Sequence, residues 1–225
     1  MRAQISKLVC PALAAPAPHA LFFLGFLLLL AARLPAQTPE VPPMVRQWIE
    51  AQQHMGDIKV GFKLTRTLPT LKDPIVNEGR FWRLADGRFR WELGTPPSTV
   101  LLFNNNDLRV WDAASQSWQT LSATDRRMKM WMTFLNSKEM SAEAMAKDFL
   151  ATVTGESPVV TIALQPRGFM VKKHLKQVDL QIDPATKHLR QLRIIQSDDA
   201  TVLMSFGPPQ PVPESDKAGL DLQAK

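Results

Sequence analysis

The feature that most constrains the fold is a two-residue alternation of apolar and polar side chains that recurs along most of the chain. In residues 58–64, Ile58, Val60, Phe62 and Leu64 alternate with Lys59, Gly61 and Lys63. A segment of this kind buries one face of a strand and leaves the other to water. Similar strand readings apply to 75–84, 88–93, 99–103, 108–112, 117–121, 157–165, 176–183, 189–196 and 201–206. Turn signals separate them: Ala85-Asp86-Gly87, Asn104 to Asp107, Asp183-Pro184-Ala185-Thr186-Lys187 and Ser197-Asp198-Asp199-Ala200. Gly79 reads as a bulge. Residues 168–175 admit another strand, interrupted by Lys172-Lys173-His174.

Two stretches follow a helical period instead. In 44–55, Met44, Val45, Trp48, Ile49 and Met55 fall near one face, and Gly56 ends the segment. The middle of the chain, 122–153, contains RRMKMWMTFL and SAEAMAKDFLATV. Ser141 suits an N-cap, with Glu143 in the first turn and Met145, Phe149 and Leu150 on the apolar side. Met128, Met130, Trp131, Met132, Phe134 and Leu135 are apolar almost all round, which requires burial or an apolar partner.

The expected fold is therefore mainly β (α+β). It is a curved antiparallel sheet or incomplete β-barrel of about ten or eleven strands, with helices covering a concave apolar side.

Residues 20–32 form an apolar run without a charge, preceded by Arg2 and Lys7 and followed by Leu34-Pro35-Ala36. The run is shorter than a bilayer requires and has the pattern of a signal peptide. The expected organisation is a cleaved signal at 1–36, one domain at 37–207 and a loose Pro-rich tail at 208–225. Lys and Arg number 27 against 21 Asp and Glu, and Arg2, Lys7 and Arg33 fall in the prefix, so the remainder is only mildly basic. The single cysteine, Cys10, also lies there. A mature domain would then have no disulfide and no thiol chemistry, which fits an exported, periplasmic protein.

Catalytic patterns do not stand out. His54, His174 and His188 lack metal-ligand spacing and read as ordinary surface residues, so neither a metal nor another cofactor is expected. Asp198-Asp199 sits in a turn, where acids hydrogen-bond the local backbone. Ser157 and Ser205 have no histidine nearby in sequence. The reading is of a non-enzyme. Arg80, Arg83, Arg88 and Arg90 interleave with Phe81, Trp82, Phe89 and Trp91. Such a strand pair can bind single-stranded nucleic acid, but in an exported protein it reads as a polar face opposite an apolar one.

The apolar surplus is more informative. Six tryptophans and no tyrosine occur, with every tryptophan between Trp48 and Trp131. Trp82, Phe89, Trp91, Phe103, Trp111, Met128, Trp131 and Met132 provide more bulk than the strands need. Either they are plain core, or they line a cavity floored by sheet and lidded by helix, where methionine adapts to varied apolar guests.

The order of these pieces resembles the LolA-like family of periplasmic outer-membrane lipoprotein carriers. The helix before IKVGFKLTRTL, then Glu78-Gly79-Arg80-Phe81-Trp82, Phe89-Arg90-Trp91, Pro96-Pro97, TVLLFNNNDLRVWD and LQIDPATKHLRQLRIIQ carry the resemblance, over about 48–207. It implies an incomplete barrel whose cavity accepts acyl chains, with Phe62, Leu64, Leu101 and Leu135 joining the residues just named. It implies an acylated lipoprotein or other lipid as cargo, an inner-membrane ATP-driven extractor, an outer-membrane receptor and a monomer. The family's arginine after the second strand would fall near Ala85. Arg83 keeps the same strand face and Arg88 lies across the turn, so either could latch a lid formed by 128–135. The first-strand glutamine and the Asp-Gly before the fifth strand are absent. A glycolipid carrier, or an envelope sensor on the same fold, is the competing reading.

Overall fold

The computed structural model describes residues 41–104, 107–121 and 140–220, all within one compact unit, Pro39–Lys225. The expected signal at 1–36 and the 128–135 segment lie outside the described residues. Among the described residues, no helix is long and apolar enough to cross a membrane.

The chain opens with α1, Pro43–Gln53, which starts on a proline, as suits the first helical turn. Six strands follow in a meander: β1 Ile58–Thr67, β2 Ile75–Arg83, β3 Phe89–Leu93, β4 Thr99–Asn104, β5 Asp107–Asp112 and β6 Ser117–Leu121. Then come α2 Ala142–Asp148, β7 Phe149–Thr154, β8 Val160–Pro166, α3 Phe169–Lys172, β9 Leu175–Ile182, β10 Leu189–Gln196 and β11 Thr201–Phe206. A short β12, Gln210–Pro211, and α4, Glu214–Leu220, close the described chain.

All twelve strands join one antiparallel sheet in the order β6-β5-β4-β3-β2-β1-β11-β10-β9-β8-β7, with β12 also paired to β1. The sheet does not close: β6 and β7 are its two edges. The two meanders meet where β1 pairs with β11, from Phe62↔Phe206 to Thr67↔Thr201.

Helix α2 has the expected cap, Ser141 Oγ accepting from the Ala144 amide at 3.0 Å. It ends sooner than its apolar spacing suggests. Phe149 begins β7, where Thr152, Val153 and Thr154 favour extended backbone, and Leu150 is exposed rather than on a helix face. Residues 168–175 begin with the one-turn α3 rather than with a strand. Gly79 is not a bulge, because the register runs unbroken through it on both sides.

The main core lies between α1, α2 and the β7–β10 part of the sheet. Val45, Trp48 and Ile49 of α1 and Met145 of α2 pack with Phe149, Ile162, Leu164, Leu180 and Ile182. Full burial of each such side chain contributes about 1.5–3 kcal/mol.

Within the segment expected to be loose, residues 207–217 are docked. Gln210 and Pro211 pair with Lys59 and Ile58, Val212 is buried with Trp82 and Leu84, and Lys217 forms an ion pair with Asp57 at 3.1 Å. Asp216 accepts from Lys59 Nζ at 2.8 Å and Trp82 Nε1 at 2.9 Å.

Candidate lipid-binding cavity

Strand register divides the sheet's side chains between two faces. Ile58 pairs with Arg83 and Arg83 with Phe89; Val60 pairs with Phe81 and Phe81 with Trp91. The same row continues through Leu101 to Val110, and on the other side Leu64 faces Met204, which faces Leu192. All these residues project from one face, the face that α1 packs against.

That face holds a cavity of about 430 Å³, within the roughly 300–1,000 Å³ typical of small-molecule sites. Among the described residues, α1 supplies Trp48 and Gln52, β1 supplies Ile58, Val60 and Leu64, and β2 supplies Phe81 and Arg83. Trp91, Leu101 and Leu108 follow from β3, β4 and β5. Leu192, Ile194, Val202, Met204 and Phe206 of β10 and β11 form the far wall. The wall is almost entirely aliphatic and aromatic, which suits hydrocarbon and offers little to a sugar or nucleotide.

Of the residues expected at the cavity, Leu64, Trp91, Leu101 and Arg83 line it. Phe62, Phe89 and Phe103 share the face but pack behind the lining. Phe62 stacks on Trp91 with centroids 5.4 Å apart, and Phe89 stacks on Phe103 at 5.3 Å. Trp82 and Trp111 project from the opposite face, since each is one residue out of phase with a lining row. Trp82 instead anchors Asp216 and is flanked by Lys59 and Arg80. Met128, Trp131, Met132 and Leu135 lie outside the described residues.

Arginines divide by face as well. Arg80 and Arg90, opposite the cavity, both bind the buried Glu92, at 2.7 Å and 2.6 Å. Arg88 is held by Asp86 at 2.7 Å in the β2–β3 turn and does not line the cavity. Arg83 alone of the four is out of phase with that polar face and turns inward. It is only 6% exposed, and its Nε and Nη2 have no hydrogen-bond partner among the described residues. The expected lid partner, 128–135, lies outside the described residues. Burial lowers the guanidinium's pKa from its ordinary value, although arginine remains charged in proteins.

Trp48, Gln52 and His188 were not anticipated at the site. Trp48 and Gln52 sit four apart on α1 and so share a helical face. Gln52 Nε2 donates to the Lys187 carbonyl at 3.1 Å, tying α1 to the β9–β10 turn. His188 in that turn is partly exposed and also lines the cavity.

A family model and several solved structures are similar to this chain. The outer membrane lipoprotein carrier protein LolA family matches residues 54–218, well over half of the chain. No curated protein matches. A LolA superfamily protein from Nitrosomonas europaea is similar at 9% identity and TM-score 0.39, covering 76% of this chain and 94% of that one. Mycobacterium tuberculosis lipoprotein LppX is similar at 11% identity and TM-score 0.40, covering 76% and 95%. The Pseudomonas aeruginosa MucA/MucB complex is similar at 12% identity and TM-score 0.43, covering 77% and 58%. With a mostly β, open antiparallel sheet and a family match that spans β1 to α4, this chain belongs to the LolA family of outer membrane lipoprotein carrier proteins.

Proposed function

We propose that this protein is a periplasmic carrier that shields the acyl chains of a lipoprotein, or of a related lipid, and moves them from the inner to the outer membrane. An ATP-driven extractor would load it and an outer-membrane receptor would unload it. The observation that carries the reading is the apolar cavity of about 430 Å³ between α1 and the sheet. Removing one methylene from water is worth about 0.8 kcal/mol, so a single long chain supplies a large driving force even after the costs of association. Family membership supports the same reading.

Native mass spectrometry of the protein recovered from the periplasm tests it. Co-purified acylated material that dissociates on activation is the expected result. Recovery of the bare protein, together with no binding of an acyl-chain fluorophore, would overturn the carrier reading.

A further inference from the structure

We propose that the cavity selects an amphiphile with an oxyanion head group, a carboxylate or a phosphate, which Arg83 and Trp48 bind while the hydrocarbon chain fills the remaining space. The inference rests on the acyl-cavity reading and adds the chemical class of the polar group.

Among the described residues, three buried donors of side chains lining this cavity are unmatched: Arg83 Nε, Arg83 Nη2 and Trp48 Nε1. Arg83 is 6% exposed and Trp48 is 3% exposed, so water does not substitute freely for a partner. All three are N–H groups, and none can accept. The cross-strand neighbours of Arg83, Ile58 and Phe89, offer it no acceptor side chain.

No Asp or Glu occurs among the described lining residues. Gln52, whose amide nitrogen donates to the Lys187 carbonyl, and His188 and Gln196 bring acceptor atoms to the lining, but none brings a negative charge. The contrast with Arg80 and Arg90 is direct. One strand row away, on the opposite face, the chain compensates two arginines with the buried carboxylate of Glu92. At Arg83 no carboxylate among the described residues does so.

A buried cation without a counter-charge is costly. A neutral ester brings only a weak carbonyl acceptor. A carboxylate or phosphate brings the missing charge and accepts two parallel N–H bonds from one guanidinium, the strongest geometry open to arginine. The indole N–H of Trp48, also in the cavity lining, adds a second, neutral donor.

The test is displacement of an acyl-chain fluorophore from the purified protein by hexadecanoate, hexadecyl phosphate, methyl hexadecanoate and hexadecan-1-ol. One or both of the anions should bind at least about tenfold more tightly than the ester and the alcohol, because a hydrogen bond to a charged group is worth at least that factor. Preference for the carboxylate identifies a fatty-acid-like head, and preference for the phosphate a phosphoryl head. Arg83→Met should abolish the preference while retaining ester binding, and should raise the melting temperature because an unpaired charge is removed. Trp48→Phe should weaken the preference in part.

Equal affinity for the anions, ester and alcohol would overturn the oxyanion inference and leave the acyl cavity standing. Binding of none of the four would instead overturn the acyl cavity itself. The wild-type series decides the matter even if a variant does not fold.

Discussion

Phe62 lies directly over Gly79 of the neighbouring strand: a Cβ built at Gly79 would fall 2.2 Å from Phe62 Cζ and 2.5 Å from the Glu92 carbonyl oxygen. The missing side chain lets the Phe62 ring settle against the sheet, where it meets Trp91 on one side and Phe206 on the other. The two meanders are joined at this aromatic row, since Phe206 belongs to β11 and Trp91 to β3.

Gly79→Ala should therefore destabilise the protein by about 1–3 kcal/mol, the range for overpacking a close-packed site. Chemical denaturation measures it. Phe62→Leu in the same chain should recover part of the loss and not all of it, because the Glu92 carbonyl remains close. A neutral Gly79→Ala would show that the ring does not occupy this position.

The two faces of the sheet make separate predictions. Trp91→Ala removes a lining ring and should weaken binding of an acyl-chain fluorophore by about 1 kcal/mol or more, roughly fivefold. Trp111→Ala alters the opposite face and should leave that affinity unchanged, whatever it does to stability. Reversal of this order would mean that the register assigned to β3–β5 is wrong.

Acid sensitivity should arise in the β9–β10 turn. Asp183 accepts from Arg190 Nη2 and from the amides of Ala185 and Thr186. The Arg190 bond first, then the Thr186 and Ala185 amides, lower its pKa from 3.8 to about 2. A carboxyl depressed in the folded state stabilises above its unfolded pKa and loses that contribution as pH falls through the folded one. Stability should thus decline between about pH 4 and pH 2, and Asp183→Asn should flatten the melting-temperature profile across that window. An unchanged profile in Asp183→Asn would remove Asp183 as the source.

Alternation made the sheet legible. Ten strands could be located from period-two spacing and turn residues, because each buries one face and is bounded by Gly, Pro, Asn or Asp. The face of an individual aromatic residue follows from its phase in the strand and not from its bulk. Trp82 is as large as Trp91, yet it sits one residue beyond Phe81, and that single step sends it to the opposite face.

β7 was hidden because AEAMAKD is strongly helical and the apolar spacing continues into Phe149 and Leu150, so nothing local marks the switch. The docking of 208–220 rests on long-range partners, Asp216 with Trp82 and Lys217 with Asp57, which no local period encodes. Inward placement of Arg83 was foreseeable from strand parity. Its lack of a partner was not, since that depends on what β1 and β3 bring beside it.

The most direct measurement fills the cavity and asks whether acyl binding disappears. Leu192 and Met204 are cross-strand neighbours on the cavity wall and only partly buried. Leu192→Trp combined with Met204→Trp should occupy the space needed by a hydrocarbon chain while the protein still melts cooperatively. Calorimetric titration with hexadecanoate should then show no binding, against clear saturation in the unaltered protein. Unchanged affinity in the cooperatively folded double variant would contradict the claim that this cavity holds the acyl chain.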